Sequence, residues 1–185
     1  MLNTIIIDNF FDNFELVETE FKKIPLYSMK DFPEEHRGTL SDKITADGYK
    51  QRILWPGQRS VQLGETHPSV LQLTERIIQK SGDERLKNTN WGMTVQLHLR
   101  LHEDEEKDYI HTDRDSLSMI VYLSKTNLKS GTNIYNTDDE VTTNIKFVQN
   151  RAVIFDCNQK HRSSLNYGDN IDNGRLTLNC IINFL

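Results

Sequence analysis

Residues 110–124 read Ile-His-Thr-Asp-Arg-Asp-Ser-Leu-Ser-Met-Ile-Val-Tyr-Leu-Ser, and this stretch decides the fold. Its first part places His111 and Asp113 two positions apart. On an extended chain two such residues point to the same side, with Cα atoms roughly 7 Å apart, so they can hold one metal ion. The chain has six histidines, so the spacing is not specific by itself and its context has to decide. The second part, residues 117–124, is typical of a β-strand.

Three further segments continue this strand pattern toward the carboxyl end. Residues 129–135 indicate a Ser-Gly turn that leads into a short strand. Residues 150–156 indicate another strand, with His161 shortly beyond it. Residues 175–184 alternate between polar and apolar side chains, which suits a final strand with Arg175 near its start.

This order of elements resembles the iron(II) and 2-oxoglutarate dependent dioxygenase superfamily, and within it the prolyl-hydroxylase-like branch. The resemblance covers residues 93–184. Its pieces are the His-x-Asp pair, the Tyr-Leu-Ser strand end, Ser-Gly-Thr-Asn-Ile-Tyr where the family usually has a Gly-Gly turn, the Ala-Val-Ile-Phe strand, the distal histidine and Arg-x-Thr. It implies a double-stranded β-helix, a cupin-like jelly-roll, so that the chain is expected to be mainly β with N-terminal helices, an α+β protein.

The resemblance also implies roles for individual residues. Two imidazoles and one carboxylate leave three positions open on an octahedral ferrous ion, as a bidentate keto acid and dioxygen require. A guanidinium can hold the far carboxylate of 2-oxoglutarate through two parallel hydrogen bonds. The implied iron ligands are His111, Asp113 and His161, and the implied 2-oxoglutarate contacts are Arg175, Tyr122, Thr177 and, more weakly, Asn133.

Residues 93–102 alternate strictly between apolar and polar side chains, which is the period of a strand. His98 and His102 would therefore lie about 13 Å apart, too far to share one ion. A polar strip inside a jelly-roll is costly unless it lines a wet cavity. The polar face therefore predicts a substrate pocket lined by Gln96, His98 and Arg100, which favours a polar or anionic substrate.

The amino-terminal half lies outside the resemblance and is expected to wrap the core within one domain, with residues 1–92 forming helices and lid loops and residues 93–185 the jelly-roll. Helices are predicted after Asp12 and Asn13 and over residues 68–80, the second ending before Gly82. Residues 31–64 are predicted to form long loops that include at most a short strand, and loops of this length are often lids. Arg52, Trp55 and Arg59 are candidate substrate contacts there, although structural roles are favoured for them.

Composition narrows the class of partner. A net charge of −5 argues against non-specific binding to nucleic acid or to an anionic membrane. Two cysteines indicate no disulfide framework, and the apolar run at residues 5–7 is too short for a signal peptide or membrane span. A cytoplasmic protein is expected, and its oligomeric state is left open.

The expected activity is oxidation, most often hydroxylation, of a polar small molecule or a protein side chain, with Fe(II), 2-oxoglutarate and O2 as cofactor and cosubstrates and with release of succinate and CO2. Two alternatives stay open from the sequence. One is a cupin-like metal enzyme that uses no keto acid, and the other is a non-catalytic jelly-roll binding protein. The sequence does not identify the primary substrate.

Overall fold

The computed structural model describes residues 4–39, 43–44, 50–51, 55–64, 66–104, 108–113 and 116–185. Within these ranges the chain is mainly β-structure with helices toward its amino end, as predicted. The helices are α1 (Phe14–Lys22), α2 (Pro68–Lys80) and α3 (Glu84–Asn88), and a short 3-10 helix spans Glu34–Thr39. The strands are β1 (Ile5–Ile7), β2 (Tyr27–Ser28), β3 (Lys43–Ile44), β4 (Lys50–Gln51), β5 (Gln58–Arg59), β6 (Trp91–Arg100), β7 (Leu117–Tyr122), β8 (Asn127–Tyr135), β9 (Val141–Phe147), β10 (Arg151–Asp156), β11 (His161–Ser163) and β12 (Arg175–Phe184). None of the helices in the described ranges combines the length and the apolar character that crossing a membrane would require.

Two antiparallel sheets form the double-stranded β-helix. The major sheet has the strand order β1-β10-β7-β12-β6-β5-β2, and the minor sheet has the order β11-β8-β9. A cluster of buried side chains from both sheets fills the space between them, including Tyr122 from the major sheet and Phe147 from the minor one. The strands β3 and β4 form a separate two-stranded hairpin.

Strand alternation divides the major sheet into a helix-facing side and a cavity-facing side. In β6, the apolar residues Val95, Leu97 and Leu99 belong to the main core, which also contains Phe21 from α1 and Leu73 from α2. The intervening polar residues of β6 point to the opposite side, because successive side chains of a strand alternate. The helices therefore cover the outer face and leave the inner face for the functional site.

The two long helices match their predicted positions. Helix α2 begins with Pro68, whose fixed φ suits the first helical turn, and the side chain of His67 accepts a hydrogen bond from the backbone N–H of Ser69. Gly82 follows the helix with φ of 68°, a conformation that glycine adopts without strain. The short helix α3 and the edge strand β1, which pairs with β10, were not predicted.

Two predictions for connecting segments need correction. Residues 129–131 are part of β8 rather than a turn. The pairing of β8 with β9 shifts register between Asn127 and Gly131. Residues 55–64 contain the short strand that was allowed for, β5, but they are not a free lid, because β5 pairs with β6 and Leu63 bridges to Val95. The parts of the lid prediction on residues 40–42, 45–49 and 52–54, which include Arg52, lie outside the described residues.

Candidate metal centre and the adjoining cavity

His111, Asp113 and His161 converge at the mouth of the β-helix. The backbones of His111 and His161 form an isolated antiparallel bridge, with reciprocal N–H···O=C distances of 3.1 and 2.8 Å. The backbone N–H of Asp113 donates to the carbonyl of Cys157 at 2.9 Å, and this hydrogen bond holds Asp113 beside the two histidines. One potential ligand atom from each residue lies within 4.8 Å of the others, so the three side chains can share one ion.

Both imidazoles are oriented by backbone carbonyls. The Nδ1 atom of His111 lies 2.8 Å from the carbonyl of Tyr109, and that of His161 lies 3.0 Å from the carbonyl of Gln159. A carbonyl oxygen only accepts, so each Nδ1 carries the proton and each Nε2 keeps its lone pair. Burial lowers the pKa of His161, which also favours the neutral form that binds a metal.

The carboxylate of Asp113 lies between the two histidines. Its Oδ1 is 3.8 Å from Nε2 of His111, and its Oδ2 is 3.5 Å from Nε2 of His161. The hydroxyl of Ser118 donates to Oδ2 at 2.5 Å. Hydrogen bonds of this kind orient a ligating carboxylate, and sequence reasoning did not single out Ser118.

Arg175 lies buried between the sheets, with 4% of its surface exposed. Its Nη2 donates to the carbonyl of Gly131 at 3.4 Å, and its Cζ lies 5.6 Å from the centre of the Phe147 ring. Its Nε has no hydrogen-bond partner among the described residues. Burial, together with the nearby cation of Arg100, lowers its pKa to about 10, so the guanidinium stays charged at neutral pH. It forms no ion pair with a carboxylate among the described residues.

Tyr122 and Thr177 lie on the same side of the major sheet as Arg175, as register and alternation require. Both are fully buried, and neither lines the cavity. The hydroxyl of Tyr122 donates to the hydroxyl of Thr132 at 2.8 Å, and that of Thr177 donates to the side-chain oxygen of Asn179 at 2.8 Å. Thr132 and Asn179 do line the cavity. The hydroxyls of Tyr122 and Thr177 therefore contact the cavity wall indirectly, each through the side chain that accepts its hydrogen bond.

The structure does not bring Asn133 to this site, which corrects the prediction for that residue. Asn133 pairs in register with Asn144, and the side-chain amide of Asn144 donates to it on the exposed face of the minor sheet. Its neighbour Thr132 takes the inward position instead, because adjacent residues of a strand point to opposite faces.

A cavity of about 430 Å³ adjoins the metal centre. Gln96, His98 and Arg100 line it, so the polar face of β6 points inward as predicted. The amide of Gln96 donates to the carbonyl of Ser60 at 3.2 Å and holds the segment that carries β5. Burial and three neighbouring arginines lower the pKa of His98 well below its usual value, so it is neutral.

Asp108 is a cavity residue that sequence reasoning missed. Its Oδ2 lies 2.8 Å from Nη1 of Arg100, and both side chains are less than a tenth exposed. The backbone and hydroxyl of Ser163 also donate to it, at 3.0 and 2.8 Å. Burial would raise the pKa of Asp108, but Arg100 and Ser163 outweigh burial and bring it to about 2. No periodicity marks this residue, since Arg100 is eight positions away on β6 and Ser163 comes from the distant strand β11.

Comparisons with solved structures give the same fold. The viral collagen prolyl hydroxylase of Paramecium Bursaria Chlorella virus-1, in complex with 2-oxoglutarate, is 12% identical with a TM-score of 0.58, over 97% of this chain and 94% of that one. A Pseudomonas putida prolyl-4-hydroxylase is 14% identical with a TM-score of 0.57, over 96% and 90%. The epimerase SnoN from nogalamycin biosynthesis is 12% identical with a TM-score of 0.60, over 97% and 76%. At these identities the likeness shows the fold alone; two of the three proteins are prolyl hydroxylases.

The sequence itself carries the family assignment. No curated protein matches the chain. The model of the 2OG-Fe(II) oxygenase superfamily, however, matches residues 90–183, which is about half of the chain and contains all three candidate metal ligands and Arg175. The chain therefore belongs to the 2OG-Fe(II) oxygenase superfamily.

Proposed function

We propose that His111, Asp113 and His161 bind the ferrous ion and that Arg175 binds the far carboxylate of 2-oxoglutarate. On this proposal the protein hydroxylates a polar small molecule or a protein side chain. The observation that carries the metal assignment is the orientation of the imidazoles. Both Nδ1 atoms donate to backbone carbonyls, so both Nε2 lone pairs remain for an ion held beside Asp113.

The residues at the site fit ferrous iron and 2-oxoglutarate. Two neutral imidazoles and one carboxylate form the donor set of non-haem Fe(II) oxygenases and leave positions open for further ligands. When bound, iron and 2-oxoglutarate supply oxygen activation coupled to loss of CO2 and formation of succinate. The chain's own residues supply position: Ser118 orients Asp113, and the backbone bridge holds His111 against His161.

Arg175 suits the role of carboxylate anchor because it is a buried cation without a carboxylate partner among the described residues. A buried charge of this kind is costly until an anion pairs with it. The ring of Phe147 and the carbonyl of Gly131 hold the guanidinium in place. Tyr122 and Thr177 support the same pocket through the hydroxyl of Thr132 and the amide of Asn179.

The experiment that tests the proposal measures two quantities on purified protein. Ferrous iron is titrated without oxygen to obtain its stoichiometry, and succinate formation is followed with and without 2-oxoglutarate. We expect one iron per chain and succinate only when both are present. A cupin-like enzyme without a keto acid would bind iron and form no succinate, and a non-catalytic jelly-roll would show neither.

A pair of histidine variants locates the site. His161→Ala removes a proposed ligand, and we expect it to lower iron affinity strongly and to abolish succinate formation. His102→Ala is the matched control, because His102 is an exposed histidine whose Nδ1 lies 3.2 Å from the carbonyl of Gly168, outside the cavity lining. Iron binding that survives in His161→Ala, or that falls equally in both variants, would contradict the metal assignment.

A further inference from the structure

The cavity wall carries more positive charge than its carboxylates can neutralise. Arg59, Arg100 and Arg175 all line the cavity, whereas Asp108 and Asp113 are the carboxylates among its described lining residues. Asp108 is paired with Arg100, and Asp113 is a proposed metal ligand. A ferrous ion would add two positive charges and 2-oxoglutarate two negative ones. One positive charge therefore remains on the described wall when both are bound.

The remaining charge belongs to Arg59. Arg175 is assigned to 2-oxoglutarate and Arg100 has Asp108, but Arg59 has no ion-pair partner among the described residues. Arg59 is paired in register with His98 on β6, so its side chain projects from the same face of the major sheet as the polar strip. Burial and the nearby Arg100 lower its pKa to about 10. The carboxylates of Asp108 and Asp113 both act on the charge of Arg59, which places Arg59 within electrostatic reach of the metal centre.

Trp55 completes this part of the wall. The guanidinium carbon of Arg59 lies 5.1 Å from the centre of the Trp55 ring, and Phe32 holds the indole in an edge-on contact at 5.5 Å. The indole Nε1 of Trp55 and the Nε of Arg59 are buried and have no hydrogen-bond partner among the described residues. Buried polar groups are normally paired, so these two atoms indicate a missing partner.

The unpartnered atoms of the cavity wall share one property. Among the described residues they are Nε1 of Trp55 and the Nε atoms of Arg59, Arg100 and Arg175, all nitrogens that can only donate. A partner that satisfies several donors must be an acceptor, and a carboxylate offers two oxygens and no proton. A carboxylate also carries the single negative charge that the wall still lacks, and its planar shape matches the guanidinium fork.

We propose that Arg59, with Trp55 beside it, binds a carboxylate of the primary substrate, so that the substrate is a small carboxylic acid rather than an internal peptide residue with an uncharged side chain. The proposal rests on the proposed function, since it places this carboxylate beside the iron and 2-oxoglutarate already bound. An internal peptide residue with an uncharged side chain, such as a prolyl residue, presents only neutral groups to the cavity and would leave the charge of Arg59 unpaired. Arg59 is therefore the residue that selects the substrate.

The test compares carboxylates with their neutral carboxamides in binding. The protein is first loaded with Mn²⁺ and 2-oxoglutarate without oxygen, so that the metal and Arg175 are occupied and cannot bind the probe. Acetate, N-acetyl-L-alanine and N-acetyl-L-proline are then titrated by calorimetry, each beside its carboxamide. N-Acetyl-L-prolinamide represents a prolyl residue inside a peptide. We expect at least one carboxylate to bind about tenfold or more tightly than its carboxamide, as a charge-assisted hydrogen bond allows.

Three variants assign this preference to Arg59. Arg59→Gln should remove it, bringing the affinity ratio of carboxylate to carboxamide close to one, and Arg59→Lys should keep part of it, because it retains the charge without the fork. Arg85→Gln is the matched control, because Arg85 also stacks on an aromatic ring, 5.2 Å from Phe184, but lies outside the cavity lining. It should retain the full ratio. Thermal unfolding of each variant verifies that it is folded.

The remaining outcomes overturn the proposal. These are equal binding of acid and amide, an unchanged ratio in Arg59→Gln, a rise in the 2-oxoglutarate dissociation constant as the sole effect of Arg59→Gln, or no saturable binding by any carboxylate. The loading step, in which Mn²⁺ and 2-oxoglutarate bind, tests the proposed function separately. If Mn²⁺ and 2-oxoglutarate fail to bind, the proposed function fails, whereas normal loading without carboxylate preference refutes this inference alone.

Discussion

Replacing Arg175 with methionine should separate cosubstrate binding from protein stability. Methionine keeps a long side chain and removes the charge. A charge-assisted hydrogen bond to a buried group contributes about 1.5–3 kcal/mol, so the dissociation constant for 2-oxoglutarate should rise about 10- to 150-fold. Iron affinity should change little, because Arg175 contacts Gly131 and Phe147 and none of the proposed metal ligands.

The same substitution should not destabilise the ligand-free protein. Lowering the pKa of Arg175 from its ordinary value to about 10 corresponds to roughly 3 kcal/mol of unfavourable free energy for the buried charge. The contact with Phe147 offsets about 1–2 kcal/mol of this. Removing the cation should therefore raise the free energy of unfolding by about 1–2 kcal/mol and the melting temperature by roughly 2–8 °C.

Thermal denaturation of the Mn²⁺-loaded protein, with and without saturating 2-oxoglutarate, measures both effects. The wild type should gain stability from 2-oxoglutarate through mass action, and Arg175→Met should gain much less. Arg175→Lys serves as the control that keeps the charge and should retain part of the gain. A large loss of metal affinity in Arg175→Met, or a fall of several degrees in its ligand-free melting temperature, would refute this reasoning.

Three further substitutions test the supports of the site. Ser118→Ala removes the hydroxyl that orients Asp113 and should lower metal affinity by about 10- to 100-fold in an anaerobic titration, with the fold retained by circular dichroism. Asp108→Asn leaves a buried cation unpaired and should cost about 3–5 kcal/mol of unfolding free energy at pH 7 by urea denaturation. Because the folded pKa of Asp108 is about 2, below its usual 3.8, the stability it contributes is complete above about pH 4 and is lost toward pH 2, so the variant's deficit should shrink over that window. Gly131→Ala would place a Cβ 2.0 Å from a backbone oxygen of β9 and should cost about 1–3 kcal/mol or more, whereas Gly64→Ala, with nothing within 4 Å, should be neutral; equal melting temperatures would contradict this.

The parts of the site that could be predicted from sequence are those fixed by local periodicity. Strand β6 alternates without interruption over residues 91–100, so the inward direction of its polar residues follows from parity alone. His111 and Asp113 are two positions apart, and the structure places their side chains beside the same small volume. The bounds of α2 agree with prediction for a similar reason, since proline marks its start and Gly82 follows its end.

The parts that could not be predicted depend on irregular or non-local pairing. Asn133 was assigned to the pocket wall, but the register shift before Gly131 makes the parity of β8 unreadable from sequence, and Thr132 faces inward instead. Arg59 was a candidate substrate contact for which a structural role was favoured, because it lies in a strand of two residues, too short for any period, and its pairing with His98 places it in the cavity. Asp108 pairs with Arg100, eight positions earlier, a separation that no helical or strand period encodes.

The composition of the inner face also explains where along the major sheet the cavity lies. Across β6 and β12 three polar pairs stand in register: Arg100 with Arg175, His98 with Thr177, and Gln96 with Asn179. Toward the other edge of the same sheet, the inward residues Val153 and Phe155 of β10 are apolar and join the core between the sheets. Polar side chains cannot pack into that core without leaving unpaired groups, so the polar residues of β6 line the cavity instead. The polar residues that weaken packing between the sheets thus line the space beside the metal centre. Departures from an apolar interior are expected at functional sites.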